Sequence, residues 1–419
     1  MISQTLRLLI KDQRNIPLGV KLIVLVIFLR SVGWGFSDPF FSMYLQQFEA
    51  PYVLIGFFIA FIQIGALVSL IPLIRLADRM RDTTLIHDGE VLYLFSVIFF
   101  IVAGFSKSLL LLLLSLFLVG MAYTFTAVGA ESYIRKHDAD GQARPFGFYV
   151  ALDYFGWILG MVLGAFIINY TGLNWMFLWI FPSIVAGLFI LPRIHERGVR
   201  SFLRGFKKYF SSSEGYFAAL SSDFKQVDHK VVFVLVLCFF YGAIRMFSYT
   251  FIPLFGLYIG LPLTSIALML AVVYLPFVFS FFLSEVTDHF KRMNVIAAGL
   301  FIGAVAYLLL YFIVHQGLVI LLAAITSFSR AIVRPVYNGA ITRLTPRRML
   351  GEMTGLNNFT DRLGRIVGPI ALGFVADSFG LQVSFLFVAV TALLLGMASL
   401  AFHGYNYLVT DKVELVISE

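Results

Sequence analysis

The chain has 419 residues, of which 60% are hydrophobic and only 13% charged, with a mean hydropathy of +0.91 and a formal net charge of +8. Soluble globular chains are about half apolar and about a quarter charged, so this composition excludes an ordinary soluble domain. The single cysteine, Cys238, excludes an intramolecular disulfide and a thiolate metal site.

In chain order, residues 2–14 read as a short amphipathic helix on a membrane surface, and the apolar run after them is too long for a cleavable signal. A helix that crosses the hydrocarbon core needs about 20 mostly apolar residues. Twelve runs meet that length: 18–45, 51–74, 85–106, 108–132, 146–169, 173–192, 231–259, 263–284, 293–315, 317–342, 354–377 and 382–407. Alternating barrel patterning is absent, so helices are the expected way to satisfy the backbone in lipid. Pro39, Pro182, Pro253, Pro276, Pro335 and Pro369 fall inside these runs, where kinks or local unwinding are expected.

The basic residues set the expected orientation. Of the 31 Lys and Arg, 24 fall on the side of the N-terminus, six lie within spans, and only Lys107 falls in an opposite turn. Both termini are therefore expected in the cytoplasm, in a plasma or inner membrane. The same bias accounts for the net charge, which is not read as nucleic-acid binding. Residues 193–230 form the longest segment outside the spans. There Phe202, Phe206, Tyr209 and Phe210 share one helical face, and Arg200, Arg204, Lys207 and Lys208 face elsewhere, as in an interfacial linker helix.

The two halves repeat. A shift of 208 residues aligns Arg135, Gly147, Asp153, Gly156, Ile158, Gly160, Phe166, Gly172 and Phe177 with identical residues at Arg343, Gly355, Asp361, Gly364, Ile366, Gly368, Phe374, Gly380 and Phe385. Span five thus corresponds to span eleven, and six intervening helices make the repeat parallel. The expected organisation is an N-terminal six-helix bundle over 1–192, a linker over 193–230 and a C-terminal bundle over 231–419. Gly156, Gly160 and Gly164, and likewise Gly364 and Gly368, stand one turn apart, as in close helix contacts.

Between spans two and three stands Arg75-Leu76-Ala77-Asp78-Arg79-Met80-Arg81, and the matching turn of the second half runs from Ser284 through Asp288 to Arg292. A carboxylate there can cap a neighbouring helix N-terminus, Asp78 that of span eleven and Asp288 that of span five. With the repeat and the twelve spans, these turns resemble the major facilitator superfamily. The core Leu76-Ala77-Asp78-Arg79 matches, whereas Ile74 and Arg81 stand where the family pattern has glycines and Asp82 where it has a basic residue. The resemblance implies an all-α membrane fold of two parallel-repeat six-helix bundles. It also implies alternating access, with spans five and eleven packing through their glycines against the opposite half, although these glycines equally suit packing inside their own half. Asp78, Arg79, Asp288, Arg362 and Arg365 form the expected gate.

Ionisable groups inside spans cost about 2.5–3.5 kcal/mol each on insertion scales and by default face a cavity. The arginines are Arg30, Arg245, Arg330, Arg334, Arg362 and Arg365. The acids are Asp38, Asp153 and Asp361, with Glu131 near the end of span four. Asp361 and Arg365 are four residues apart and are expected to pair. Arg330 and Arg334 are like charges at the same spacing, which calls for an anion or for acids on other helices. Arg30 and Arg245 lie at mid-depth in spans one and seven, offset by 215, and resemble the arginines of organophosphate and organic-anion members. A guanidinium pair holds a phosphate or carboxylate bidentately.

No phosphate loop, His-Glu-x-x-His or Cys-x-x-Cys occurs, so neither direct use of ATP, nor a metal, nor a cofactor, nor an enzyme is expected. The sequence is read as a secondary transporter, acting as a monomer in the bilayer, with no nucleic acid as partner. Its substrate is a small organic anion bound by Arg30, Arg245, Arg330 and Arg334. Its driving force is exchange of a second anion or a proton gradient acting through Asp38, Asp153 or Asp361. The alternative is a drug/proton antiporter that exports lipophilic compounds, which 46 phenylalanines and 19 tyrosines would suit.

Overall fold

The structure is a computed structural model that describes residues 17–76, 80–136, 144–194, 196, 229–279, 292–344 and 350–417. Among the described residues there is no β-strand, and twelve helical rods follow one another. The first half supplies α1 (Leu18–Gln46), α2 (Tyr52–Leu76), α3 (Asp82–Ser106), α4 (Leu109–Lys136), α5 (Arg144–Thr171) and α6 (Met176–Arg193). The second supplies α7 (His229–Tyr258), α8 (Leu263–Val278), α9 (Arg292–Phe312), α10 (Gln316–Leu344), α11 (Leu350–Phe379) and α12 (Leu381–Ile417). Ten of the rods contain a stretch long and apolar enough to cross a membrane. The described part of α8 has only 16 residues, and α11 carries Asp361, Arg362 and Arg365.

Proline shapes two of the rods. Pro39 lies in a short 3-10 turn, Asp38–Phe40, that interrupts α1. A pyrrolidine ring denies the preceding turn a hydrogen bond, and the tighter helix accommodates the loss. The rod α6 begins as a 3-10 turn, Met176–Ile180, and becomes α-helical at Phe181 beside Pro182. Pro253, Pro276, Pro335 and Pro369 stand inside otherwise continuous helices.

The repeat survives at the level of single backbone angles. Gly172 and Gly380, aligned by the shift of 208, close α5 and α11 at φ +71° and +98°, where a Cβ would be strained. Each donates its N–H to the carbonyl four residues back, Ile168 in one case and Ala376 in the other. The paired glycines of these helices pack within their own halves. A Cβ on Gly156 or Gly160 would press on the α1 carbonyls of Phe28 or Val32, and one on Gly364 would press on the α7 carbonyl of Phe239.

By compactness the described residues divide into two units, those of 1–38, 64–164 and 174–213 and those of 39–63, 165–173 and 214–419. The second unit therefore takes in the last part of α1, the first part of α2 and the turn after α5, and the division does not follow the repeat. The core of the first unit is a cluster of Val20, Ile23, Val24, Ile27, Ile86 and Ile134 with Tyr133 and Tyr149, all buried. The surface helix expected at 2–14, the linker helix with Phe202, Phe206, Tyr209 and Phe210, and the gate residues Asp78, Arg79 and Asp288 lie outside the described residues.

Candidate functional site: two buried charge clusters

Arg30 is the centre of the first unit's polar interior. It sits midway along α1 with 4% of its surface exposed. Its Nη1 donates a hydrogen bond to the Thr126 hydroxyl of α4, and its Nη2 lies 3.9 Å from an Asp153 oxygen of α5. Ser31, the next residue on α1, donates to the same Asp153 oxygen. The guanidinium carbon lies 5.8 Å from the centroid of the Tyr93 ring of α3, within cation–π reach. Trp34 also packs against that ring, tilted, with centroids 5.2 Å apart.

Glu90 completes the cluster one turn before Tyr93 on α3. Its residue surface is 0% exposed, and neither carboxyl oxygen has a hydrogen-bond partner. Arg30 and His87 are its charged neighbours. Sequence reasoning passed over this residue. The signal was available, since Glu90 is an acid within the third apolar run, and the rule that selected Asp153 selects it as well. Asp38 is buried in the 3-10 turn of α1, 7% exposed.

The second unit holds a differently balanced cluster. Asp361 and Arg365 of α11 form the ion pair that their spacing predicts. Arg245 of α7 and Arg334 of α10, both half-buried, are further charged neighbours of Asp361. Among the described residues Arg330 of α10, 6% exposed, bonds only to backbone carbonyls, that of Thr326 at 3.3 Å and that of Arg245 at 3.4 Å. Among the described residues no carboxylate pairs with it. Its own carbonyl accepts a hydrogen bond from Tyr241 at 3.4 Å. Nearby, Tyr307 and Ser248 share a hydroxyl contact of 2.5 Å.

The offset of 215 between Arg30 and Arg245 does not carry over to the packing. Judged against α5 and α11, where Gly156 meets Phe28 and Gly364 meets Phe239, α1 and α7 are offset by 211 residues, which sets Tyr241 at the place of Arg30. Judged by Trp34 on Tyr93 and Ser248 on Tyr307, the offset is 214, which sets Ile244 there. Tyr241 and Ile244 both line a small cavity with Tyr307, Ser329 and Arg330.

A third feature joins helices of different repeats inside the second unit. Asp377, near the end of α11, accepts the backbone N–H groups of Tyr52 and Val53 at the start of α2, each at 2.8 Å. The two helices touch backbone to backbone there: a Cβ on Gly373 would lie 2.6 Å from the Tyr52 carbonyl. The carboxylate thus serves as the N-cap that α2 does not draw from its own sequence. In the first unit Glu196 plays the same part for α3, accepting from the N–H groups of Asp82 and Thr83 at 3.0 and 2.9 Å. Asp82, fully buried, pairs with Lys136 at 3.0 Å.

The model of the Major Facilitator Superfamily matches residues 23–284 and 234–411 of this chain. The chain belongs to that family, whose members are membrane transporters. It is similar to the quinolone resistance protein NorA of Staphylococcus aureus, 23% identical over 358 residues, a match covering 84% of this chain and 88% of that one. An uncharacterized MFS-type transporter from Methanocaldococcus jannaschii is 28% identical over 144 residues, 34% of this chain and 36% of that one. Among solved structures, a POT family transporter in complex with 5-aminolevulinic acid superposes with a TM-score of 0.73 at 14% identity, covering 92% of this chain and 96% of that one. The nucleoside transporter NupG gives 0.67 at 15% identity, covering 92% and 99%. These likenesses fix the fold and the class: a multi-pass membrane transporter of two repeated halves.

Proposed function

We propose that this protein moves a small organic anion across the membrane by alternating access, coupled to protons, with both termini in the cytoplasm. The observation that carries the substrate class is the charge imbalance of the second unit. Arg365, Arg245 and Arg334 are all charged neighbours of Asp361, and among the described residues the buried Arg330 bonds only to carbonyls. A buried guanidinium is costly without an anion, and its planar fork suits a carboxylate or phosphate. The binding set is Arg245, Arg330 and Arg334. Arg30 is left out of it, because Asp153 already answers its charge. The first unit, with its surplus of acids, supplies the proton side.

The reading is tested by thermal unfolding of purified protein against carboxylates, phosphate esters and lipophilic cations. A ligand at 100 times its dissociation constant stabilises by about 2.7 kcal/mol. An anion should stabilise the wild type and leave Arg330→Met unmoved. Stabilisation by lipophilic cations alone would remove the anion. A second reading, export of lipophilic compounds, is favoured by the similarity to a quinolone resistance protein over most of both chains.

A further inference from the structure

The second repeat provides an internal control for Glu90. Gly89 and Tyr93 of α3 correspond to Gly303 and Tyr307 of α9 at an offset of 214. Their packing corresponds too: a Cβ on Gly89 would meet the Thr126 methyl of α4 at 2.5 Å, and one on Gly303 the Ser329 hydroxyl of α10 at 2.6 Å. In this register the residue opposite Glu90 is Ala304. Where the first repeat buries an acid beside Arg30, the second has the small cavity bordered by Tyr241, Ile244 and Tyr307. The fold therefore does not need a carboxyl at this place. It tolerates an alanine there, and a buried acid without a donor is retained against its cost.

We infer that Glu90 and Asp153 share one proton, with Arg30 as counter-ion to whichever of the two is ionised. The inference rests on the proton-coupled part of the proposed function. In the arrangement described, Arg30 lies on Asp153, and Glu90 makes no hydrogen bond, as suits the neutral acid. When the proton leaves the Glu90 oxygen it passes, directly or through water, to Asp153, whose side chain is 27% exposed. Arg30 then turns from Asp153 to Glu90. Each arrangement contains one guanidinium, one carboxylate and one carboxylic acid, so the buried net charge does not change as the proton moves.

The surroundings permit this exchange. On α3 the titratable neighbours are His87 and Tyr93. The α1 helix contributes Arg30, α5 contributes Asp153 and Tyr149, and α4 contributes Tyr123 beside Tyr93 and Glu131 beside Tyr149. The α6 helix contributes no charge, only Gly187, where an added Cβ would stand 3.9 Å from the Glu90 carboxyl carbon.

Infrared spectroscopy of the full-length protein in lipid nanodiscs, read at the protonated-carboxyl stretch across a pH series, tests this without a substrate. At neutral pH the wild type should show a band that Glu90→Gln removes at every pH. In Asp153→Asn the band should be lost at neutral pH, because Arg30 then has only Glu90 to answer, and should return on acidification. A band unchanged in Glu90→Gln would overturn the site. A band that persists at neutral pH in Asp153→Asn would overturn the sharing, and this holds even if Glu90→Gln does not fold. Failure of the wider reading looks different: the bands behave as described, but proteoliposome transport ignores a pH gradient.

Discussion

Arg30 shows how neighbours, and not residue type, decide what a buried charge does. Its hydrogen bond to Thr126, its ion pair with Asp153 and the Tyr93 face leave it locked inside one unit. Removing one partner of a buried pair costs about 3–5 kcal/mol, because the other charge stays behind uncompensated. Arg30→Met is therefore expected to lower stability by roughly 3 kcal/mol, toward the low end because Asp153 is partly exposed. Chemical denaturation of Arg30→Met, Asp153→Asn and the double variant measures it. The double variant should recover part of the loss, and strict additivity would show that the two residues do not interact. Arg330 should behave otherwise. Arg330→Met leaves no carboxylate stranded among the described residues, so its stability should hold within about 1 kcal/mol while anion binding is lost.

At the scale of elements, the junction of α2 with α11 is the contact most suited to a gate. Two charge-assisted hydrogen bonds from Tyr52 and Val53 to Asp377 hold helices of different repeats together, and an N-cap is worth about 0.5–2 kcal/mol. Asp377→Ala should shift a two-state equilibrium by roughly 1 kcal/mol, or about fivefold in population. A single cysteine at Gln47 in a Cys238→Ser background should then react faster with an impermeant thiol reagent. An unchanged rate would show that the cap does not restrain this junction. Packing allows a second forecast: Gly160→Val drives a side chain into the Val32 carbonyl and the Gly35 backbone, and should destabilise the first unit by about 1–3 kcal/mol, read as a lower melting temperature.

Much of this was legible before the structure, for reasons that are local. The pairing of Asp361 with Arg365 follows from helical spacing alone, and the equivalence of Gly172 with Gly380 follows from identity under one shift. The partners of Arg30 were not legible, because Thr126 and Asp153 are distant in the chain and meet it only when α1, α4 and α5 pack. Glu90 carried the same signal as Asp153, an acid inside an apolar run, but it stands near the expected start of its span, where an acid is easily read as solvated. The cap at Asp377 was hidden because a lone acid at a helix end has no pattern that points to its partner.

For the whole molecule, the asymmetry between repeats is the organising fact. One fold occurs twice, yet the first copy sets Glu90 and Asp153 near Arg30 and the second sets Arg365, Arg245 and Arg334 near Asp361. On the proposed reading, the first copy would serve the proton and the second the anion, a division of labour that two identical halves could not provide. Topology is checked by cysteines at Gln47 and Gln316, which should label from outside the cell. The most direct test is uptake into proteoliposomes of a panel of radiolabelled carboxylates, phosphate esters and lipophilic cations, with and without an imposed pH gradient. The account predicts that an organic anion accumulates when the gradient is imposed, that a protonophore abolishes this, and that Arg330→Met and Glu90→Gln each reduce it at least tenfold, equivalent to about 1.4 kcal/mol. Gradient-driven movement of lipophilic cations alone, with no anion carried and Arg330→Met fully active, would contradict it.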